Sequence, residues 1–209
     1  MLVRTADGER RFTARHVLLA TGGSAALPEL PGRELALTSD HMFDLEPFPR
    51  RLLVVGAGYI CCEFASIFQG LGAQVTQVYR GAFPLRGFDD ELRAFLADEM
   101  RKTGIDMRPA TQVRALHRDG AGVQAELGDG TRIGADAVLC ATGRVPHTDG
   151  LGLQEAGVVL AANGGVQVDG HYRTSLPSVH ALGDLTARLQ LTPVALGEAM
   201  ALIDHLFGQ

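Results

Sequence analysis

The stretch RLLVVGAGYICCEFASIFQGLGAQVTQVYRGAFPLR, residues 51–86, predicts a strand, a tight glycine turn, a helix and a second strand. Leu52 to Val55 form an apolar run, as expected for a strand that is buried on both faces. Gly56 permits the sharp turn. Gly58 has no Cβ, so a pyrophosphate can approach the backbone at the N-terminus of the next helix, where unpaired N–H groups favour negative charge. The stretch therefore predicts a dinucleotide-binding βαβ unit.

The third position of the glycine motif holds Cys61 instead of glycine. This position has to be small because the helix packs closely on the strand, and cysteine is only slightly larger than alanine. The helix is predicted to end at Gly70 and Gly72, and the residues predicted at core spacing are Ile60, Phe64, Ile67 and Phe68. A glycine motif alone is a weak signal, and it is the surrounding strand and helix that favour a dinucleotide site.

The end of the second strand, predicted over Val75 to Tyr79, indicates which nicotinamide nucleotide binds. NAD-binding units carry an acid about 20 residues past the glycines, where it accepts hydrogen bonds from the ribose hydroxyls. Tyr79 occupies that position here, and Arg80 and Arg86 follow it. The two arginines are suited to binding the 2′-phosphate of NADP by charge-assisted hydrogen bonds. The alternative is that both are solvated surface charges.

Composition and charge argue against several classes of function. The 209 residues carry a net charge of −5 and no block of lysine or arginine, so neither nucleic acid nor membrane is expected as a partner. The longest apolar run, Leu52 to Cys62, is too short to span a bilayer, and Arg4 and Asp7 interrupt any signal-peptide core. Three cysteines provide no disulfide framework, and seven histidines lack metal-ligand spacing. We therefore expect a cytoplasmic protein without a metal site.

Residues 124–143 predict the part of the chain that closes the βαβ unit. A hairpin turns at Asp129-Gly130, and a strand over Ala137 to Cys140 then ends in Ala-Thr-Gly. The strand returns to the unit that begins at Leu52.

Residues 1–23 repeat this plan. A hairpin is predicted to turn at Asp7-Gly8, and a strand over Val17 to Ala20 ends in Thr-Gly-Gly. No glycine motif precedes this copy in the chain. We therefore expect these residues to close a second nucleotide-binding unit whose front half is not present here.

The remaining elements are predicted from proline content, helix caps and apolar spacing. Residues 24–50 are a proline-rich crossing connection with a short helical turn at Thr38-Ser39-Asp40, and a helix N-capped by Asp89 ends near Gly104 with Leu92, Phe95, Leu96 and Met100 on one face. A strand begins with Ile105 to Met107, and a short strand covers Val166 to Val168. A last helix runs from Val194 to about Phe207, with Ala195, Ala199, Leu202 and Leu206 available for burial.

Five motifs in this order resemble the glutathione reductase branch of the pyridine nucleotide-disulfide oxidoreductases. They are GAGYICCEFA (56–65), VYRGAFPLR (78–86), CATGRVP (140–146), ALGD (181–184) and LTPVAL (191–196). The resemblance implies an α/β fold. It places a Rossmann-like NADPH-binding domain with a three-layer β/β/α organisation at residues 24–144, and parts of a second, FAD-binding Rossmann-like domain at residues 1–23 and 145–209. It also implies electron flow from NADPH through FAD to an enzyme disulfide and then to glutathione disulfide, in a complete enzyme that is a homodimer.

The resemblance also implies roles for individual residues. These are Gly56 and Gly58 for the pyrophosphate; Arg80 and Arg86 for the 2′-phosphate; Tyr59 as a lid over the nicotinamide pocket; Glu63 as the partner of a flavin-side lysine; Ile60, Gly143 and Arg144 as further NADPH contacts; and Gly183, Asp184 and Thr192 for FAD.

Other interpretations of four of these residues stay open. Tyr59 and Glu63 are four residues apart and so share one helical face, but they could also be a core-edge tyrosine and a solvated glutamate. Asp184 could be a turn residue that follows glycine. Arg144 could line the nucleotide or cap the end of a strand.

Three features of the family are not found in these 209 residues, namely the CxxxxC redox pair, the glycine motif of the FAD domain and the acid–base histidine of the C-terminal dimerisation domain. No catalytic residue is therefore assigned, and Tyr59 and Glu63 are supporting residues only. We expect the chain alone to be inactive and not to retain FAD. Two hypotheses follow, namely the NADPH-binding portion of a disulfide reductase, or a non-catalytic NADPH-binding module of the same fold.

Overall fold

The chain divides into two compact units in the computed structural model, which describes residues 1–208. The first unit consists of Met1–Ser24 together with Val145–Gln209, and the second consists of Ala25–Arg144. The second unit is thus inserted into the first. At the neck of the insertion, the Ala26 amide donates a hydrogen bond of 3.0 Å to the carbonyl oxygen of Gly143, which holds the two ends of the second unit together.

The chain contains thirteen strands and three α-helices among the described residues. The strands are β1 (Leu2–Thr5), β2 (Gly8–Arg11), β3 (Val17–Leu19), β4 (Gly23–Ala25), β5 (Arg51–Val55), β6 (Gln74–Val78), β7 (Asp106–Arg108), β8 (Val113–Asp119), β9 (Gly122–Leu127), β10 (Arg132–Ala135), β11 (Ala137–Cys140), β12 (Arg144–Pro146) and β13 (Val179–Ala181). The helices are α1 (Tyr59–Gly70), α2 (Asp90–Lys102) and α3 (Thr192–Phe207), and 3-10 turns cover Arg33–Leu35, Ser39–Asp44 and Gly183–Thr186.

The second unit is built on a four-stranded parallel sheet with the order β11-β5-β6-β7. Alternate residues of β5 point to opposite faces, and both faces are covered. Leu52 and Val54 pack in the cluster that contains the helices, and Leu53 and Val55 pack in the cluster that contains the antiparallel strands. This double burial explains the continuous apolar run in the sequence.

An antiparallel sheet with the order β10-β9-β8 forms the outer β layer of this unit. Leu116, Ala125 and Leu127 pack against the parallel sheet through the same cluster as Val138 and Cys140. The unit therefore has an antiparallel sheet, a parallel sheet and a helical layer. This is the predicted three-layer β/β/α arrangement.

The helices α1 and α2 cover the other face of the parallel sheet. Asp89 caps α2 as predicted, since its carboxylate accepts a 3.1 Å hydrogen bond from the Leu92 amide. The predicted buried face of α2 is partly wrong, because Leu92 and Phe95 are exposed and the buried residues are Ala97 and Met100. Ile67 in α1 is also exposed, against prediction, because α1 buries the face that contains Phe64 and Phe68.

The first unit contains a β1–β2 hairpin and a two-stranded parallel sheet, in which Val17 pairs with Val179. The hairpin turns one residue earlier than predicted, because Thr5 pairs with Gly8 and leaves Ala6 and Asp7 in the turn. The predicted strand over Val166 to Val168 is a single bridge between Leu160 and Val166. Val166 is buried and Gln167 is exposed, as in a strand, but the segment forms only this one bridge and so does not continue as a strand.

The helix α3 begins at Thr192, two residues before the predicted start, with proline in its first turn. Of its predicted apolar face, Leu202 is buried and Ala195, Ala199 and Leu206 are half-buried. Among residues 1–208, none of the helices has both the length and the apolar composition needed to cross a bilayer.

Candidate dinucleotide-binding site

The turn after β5 requires glycine at its first position. Gly56 adopts a φ of 122°, a conformation that side chains rarely tolerate. A Cβ added there would lie 2.8 Å from both the carbonyl oxygen of Ala141 and the Sγ of Cys61. The Gly56 amide donates a 2.9 Å hydrogen bond to the carbonyl oxygen of Val78, which joins the turn to the end of β6. The turn therefore leaves no room for a side chain at Gly56, and a hydrogen bond joins it to the end of β6.

Gly58 is the N-cap of α1 and has open space in front of it. Its backbone is extended, with φ −73°, and no heavy atom lies within 4 Å of an added Cβ. No side chain of the described residues caps the helix. The N–H groups of the first turn have no acceptor within the helix, and the helix dipole adds positive potential there. This end of α1 is suited to an anion that approaches over Gly58.

Cys61 and Cys62 are free thiols, and both are buried. The Cys61 Sγ lies 3.2 Å from the carbonyl oxygen of Ala141 and fills the small space between α1 and the sheet. Burial raises the pKa of Cys61 to about 12 and that of Cys140 to about 11, and it also raises the pKa of Cys62. These three thiols are structural at neutral pH.

Gln77 holds the glycine turn through a side-chain hydrogen bond, a role that the sequence analysis missed. It is fully buried in β6, and its Nε2 donates a 3.0 Å hydrogen bond to the carbonyl oxygen of Gly56. Its Oε1 has no hydrogen-bond partner among the described residues. A glutamine in an inner strand of the parallel sheet was the signal in the sequence, since a polar side chain is buried there only with a polar partner.

Tyr79 and the two arginines lie beyond the end of β6. Tyr79 is buried on the helical side of the sheet, and its hydroxyl has no hydrogen-bond partner among the described residues. Arg80 and Arg86 are both exposed, and within residues 1–208 neither forms a hydrogen bond or an ion pair. No carboxylate is thus present where NAD-binding units place one, and two unneutralised guanidinium groups follow.

The loop between these arginines is fastened to the glycine turn. The Leu85 amide donates a 2.7 Å hydrogen bond to the carbonyl oxygen of Ala57, which lies between the two glycines. The Ala110 amide donates to the carbonyl oxygen of Gly81 across 3.0 Å. The loop that holds Arg86 is therefore joined to the residues that would receive the pyrophosphate.

The remaining predicted NADPH residues lie at the same edge of the parallel sheet. The strands β11, β5 and β6 are parallel neighbours, so the segments after them meet at one edge, where ligands bind in folds of this kind. Tyr59 and Glu63 are exposed on α1, Ile60 is half-buried, and Gly143 and Arg144 follow β11. The structure brings these residues to the edge that carries the glycine turn.

The three predicted FAD residues belong to the first unit. Gly183 and Asp184 form the 3-10 turn after β13, and Thr192 is the first residue of α3. Sequence analysis missed Glu198, a buried residue of α3 that joins the two segments. Its carboxylate accepts a 2.7 Å hydrogen bond from the Gly183 amide and another from Arg188. A glutamate on the apolar side of a helix was the available signal.

Comparisons with known proteins agree with this arrangement. The family model described as pyridine nucleotide-disulphide oxidoreductase matches residues 2–199. The chain is 48% identical to the glutathione reductase of Burkholderia cepacia over 94% of its own length and 44% of that protein. It is 43% identical to the glutathione reductase of Nostoc sp. over 96% of its length and 46% of that protein. The chain thus spans less than half the length of these relatives.

Solved structures show the same fold. The HOCl-induced flavoprotein disulfide reductase RclA of Escherichia coli superposes with a TM-score of 0.91 at 27% identity, over all of this chain and 48% of that one. LpdA of Mycobacterium tuberculosis superposes with a TM-score of 0.89 at 31% identity, over all of this chain and 46% of that one.

Proposed function

The chain belongs to the pyridine nucleotide-disulphide oxidoreductase family, and we propose that it is the NADPH-binding portion of an FAD-dependent disulfide reductase that acts on glutathione disulfide. In such an enzyme NADPH supplies a hydride, and FAD passes the two electrons on to a disulfide. The identities of 48% and 43% to two glutathione reductases support this substrate, and a trypanothione reductase of Trypanosoma congolense follows at 38%.

The observation that carries the proposal is the pair Arg80 and Arg86. Both are exposed without a partner among the described residues, and the loop between them is fastened to the glycine turn. Charge on a 2′-phosphate would be neutralised by these groups, and no acid near Tyr79 would oppose it. Gly56 and Gly58 fit the pyrophosphate, since the first closes the turn and the second leaves the helix N-terminus open.

We further propose that Tyr59, Ile60, Glu63, Gly143 and Arg144 complete the NADPH site. Gly183, Asp184 and Thr192 are proposed to contribute to an FAD site within the 1–24 and 145–208 segments. We propose that the complete enzyme is a cytoplasmic homodimer. The 209-residue chain alone is proposed not to retain FAD.

A second function, a non-catalytic NADPH-binding module, is favoured by the state of the thiols. All three cysteines are buried, and the pKa of each is raised by burial, so none of them is suited to attack a disulfide. Steady-state oxidation of NADPH by the purified chain in the presence of FAD and oxidised glutathione tests this second function. Turnover by the purified chain would contradict the module.

Nucleotide binding by the purified 209-residue chain tests the proposal directly. NADPH and NADH are titrated separately at low and at physiological salt, with calorimetry or nucleotide fluorescence as the readout. We expect NADPH to bind at least about tenfold more tightly at low salt, with the advantage reduced as salt screens the phosphate. Equal affinities at both salt concentrations would refute the assignment to NADPH.

A further inference from the structure

Arg93 is a half-buried arginine to which none of the motifs assigns a role. It lies in the first turn of α2, and its side chain is only 17% exposed. Its Nη1 pairs with Asp90 on the same helix. Its two other nitrogens donate to the backbone of the loop that precedes the helix.

The loop carbonyls bound by Arg93 lie between the two nucleotide-binding arginines. The Arg93 Nε donates a 2.7 Å hydrogen bond to the carbonyl oxygen of Pro84, and its Nη2 donates a 3.3 Å hydrogen bond to that of Phe83. A planar guanidinium can hold two successive carbonyls in one plane, whereas an ammonium group has no such fixed fork.

The loop needs this support because its backbone contains a residue in an uncommon conformation. Leu85 adopts a positive φ of 53°, which is uncommon for a residue other than glycine. The same residue donates its amide to Ala57, and Arg86 follows it directly. Such conformations persist only where neighbouring contacts hold them.

We propose that Arg93 is a positioning residue for nucleotide choice. By holding the carbonyls of Phe83 and Pro84, it maintains the loop conformation that presents Arg86 to a 2′-phosphate. This inference rests on the proposed NADPH site and identifies a residue outside the nucleotide contacts on which its selectivity depends. Arg93 binds the loop and not the nucleotide.

The test compares nucleotide affinities for three variants of the 209-residue chain. Arg93→Met keeps the apolar stem and removes all donors, and Arg93→Lys keeps the charge but not the fork. Arg101→Met is the matched control, since Arg101 lies on the same helix and also pairs with an aspartate three residues earlier, Asp98, but makes no bond to the loop. NADPH and NADH are titrated into each protein, and thermal unfolding is recorded.

We expect Arg93→Met to weaken NADPH binding by about fivefold to thirtyfold and to leave NADH binding within about twofold. The preference for NADPH over NADH should therefore decrease. Arg93→Lys should lose most of the same selectivity, because it retains the charge without the geometry. Arg101→Met should bind both nucleotides like the wild type. Selectivity at the wild-type level in Arg93→Lys would overturn the proposal, since charge alone would then suffice.

Two other outcomes would also overturn it and are distinguishable from each other. Equal losses for NADPH and NADH in Arg93→Met would mean that Arg93 supports the unit in general. Equal affinities of the wild-type chain for the two nucleotides would instead remove the proposed NADPH site itself. Arg93→Lys is the milder variant and decides the matter if Arg93→Met does not fold.

Discussion

The Leu85 amide donates to the carbonyl oxygen of Ala57 across 2.7 Å, so the loop that holds Arg86 is fastened to the middle of the glycine turn. Two parts of the site that are well separated in sequence are thereby held as one surface. A backbone hydrogen bond thus joins the loop proposed to bind the 2′-phosphate to the turn proposed to bind the pyrophosphate.

Replacing both Arg80 and Arg86 by leucine should separate the two nicotinamide nucleotides. NADPH binding should weaken roughly tenfold to a hundredfold, because two exposed guanidinium–phosphate contacts are lost and each is partly screened by water. NADH carries no 2′-phosphate, so its affinity should change little. Titrations of both nucleotides into both proteins measure this, and equal losses would mean that the arginines are ordinary surface charges.

The two glycines of the turn should respond differently to alanine. Gly56→Ala should destabilise the protein by about 1–3 kcal/mol, because its Cβ would lie 2.8 Å from Ala141 and Cys61 at a φ of 122°. Gly58→Ala should leave the melting temperature nearly unchanged, since its Cβ meets nothing within 4 Å, but should weaken dinucleotide binding. Thermal unfolding combined with NADPH titration checks both. Full NADPH affinity in Gly58→Ala would argue that the pyrophosphate binds elsewhere.

The three thiols should be unreactive in the folded protein. Burial raises the pKa of Cys61 to about 12 and that of Cys140 to about 11, so little thiolate exists at pH 8. Ellman's reagent should titrate less than one thiol within minutes in buffer and three in denaturant. The Cys61→Ala, Cys62→Ala double variant should keep its NADPH affinity within a few-fold. A fast-reacting thiol in native buffer would contradict the structural role.

Glu198 should stabilise the first unit. Glu198→Ala leaves the buried Gly183 amide without its acceptor and Arg188 without its partner, which should cost about 1–3 kcal/mol. Glu198→Gln retains an acceptor and should lose less. Asp204→Ala, at an exposed position on the same helix, is the control and should leave the melting temperature essentially unchanged. Chemical denaturation of the three variants measures these differences.

Acid should destabilise the first unit through His180. Burial is the main cause of its lowered pKa, followed by the charges of His16, Arg173 and His205, whereas Asp169 acts in the opposite direction. Because the unfolded chain binds the proton more readily, the contribution of His180 to stability is present above its ordinary pKa near 6.5 and is lost as the pH falls below it.

The measurement compares melting temperatures at pH 7.5 and 5.5. His180→Leu should show a smaller decrease on acidification than the wild type, whereas His117→Asn, at an exposed position in the other unit, should show the wild-type decrease. An unchanged decrease in His180→Leu would indicate that another group is responsible.

The sequence predicted the elements whose physical signals are local. The Leu52 to Val55 run, the glycine turn, the Asp89 cap and the Asp129-Gly130 turn are each determined by a few adjacent residues, and the structure contains them. The exposure of Leu92, Phe95 and Ile67 was not predictable in this way. Their exposure depends on which side of each helix faces the sheet, and each helix carries apolar residues on more than one side.

The supporting residues of the site were missed for the same reason. Gln77, Arg93 and Glu198 act through backbone groups that are distant in sequence or lie in a loop whose path no motif describes. A polar residue among apolar neighbours indicated that each had a partner, but only the fold identifies it. The roles proposed for the glycines and arginines, in contrast, rest on their spacing in the sequence.

The hydrogen bond between Ala26 and Gly143 also affects how the first unit can assemble. The strands β3 and β13 pair across roughly 160 residues of chain, of which the inserted unit occupies roughly three quarters. Once that unit has folded, its two ends are joined, and the effective loop shrinks to roughly 40 residues. The entropic cost of closing the β3–β13 pair then falls by about 1 kcal/mol. Lengthening a surface hairpin of the inserted unit therefore leaves this closure unaffected, whereas lengthening the segment between Val145 and Ser178 makes it harder.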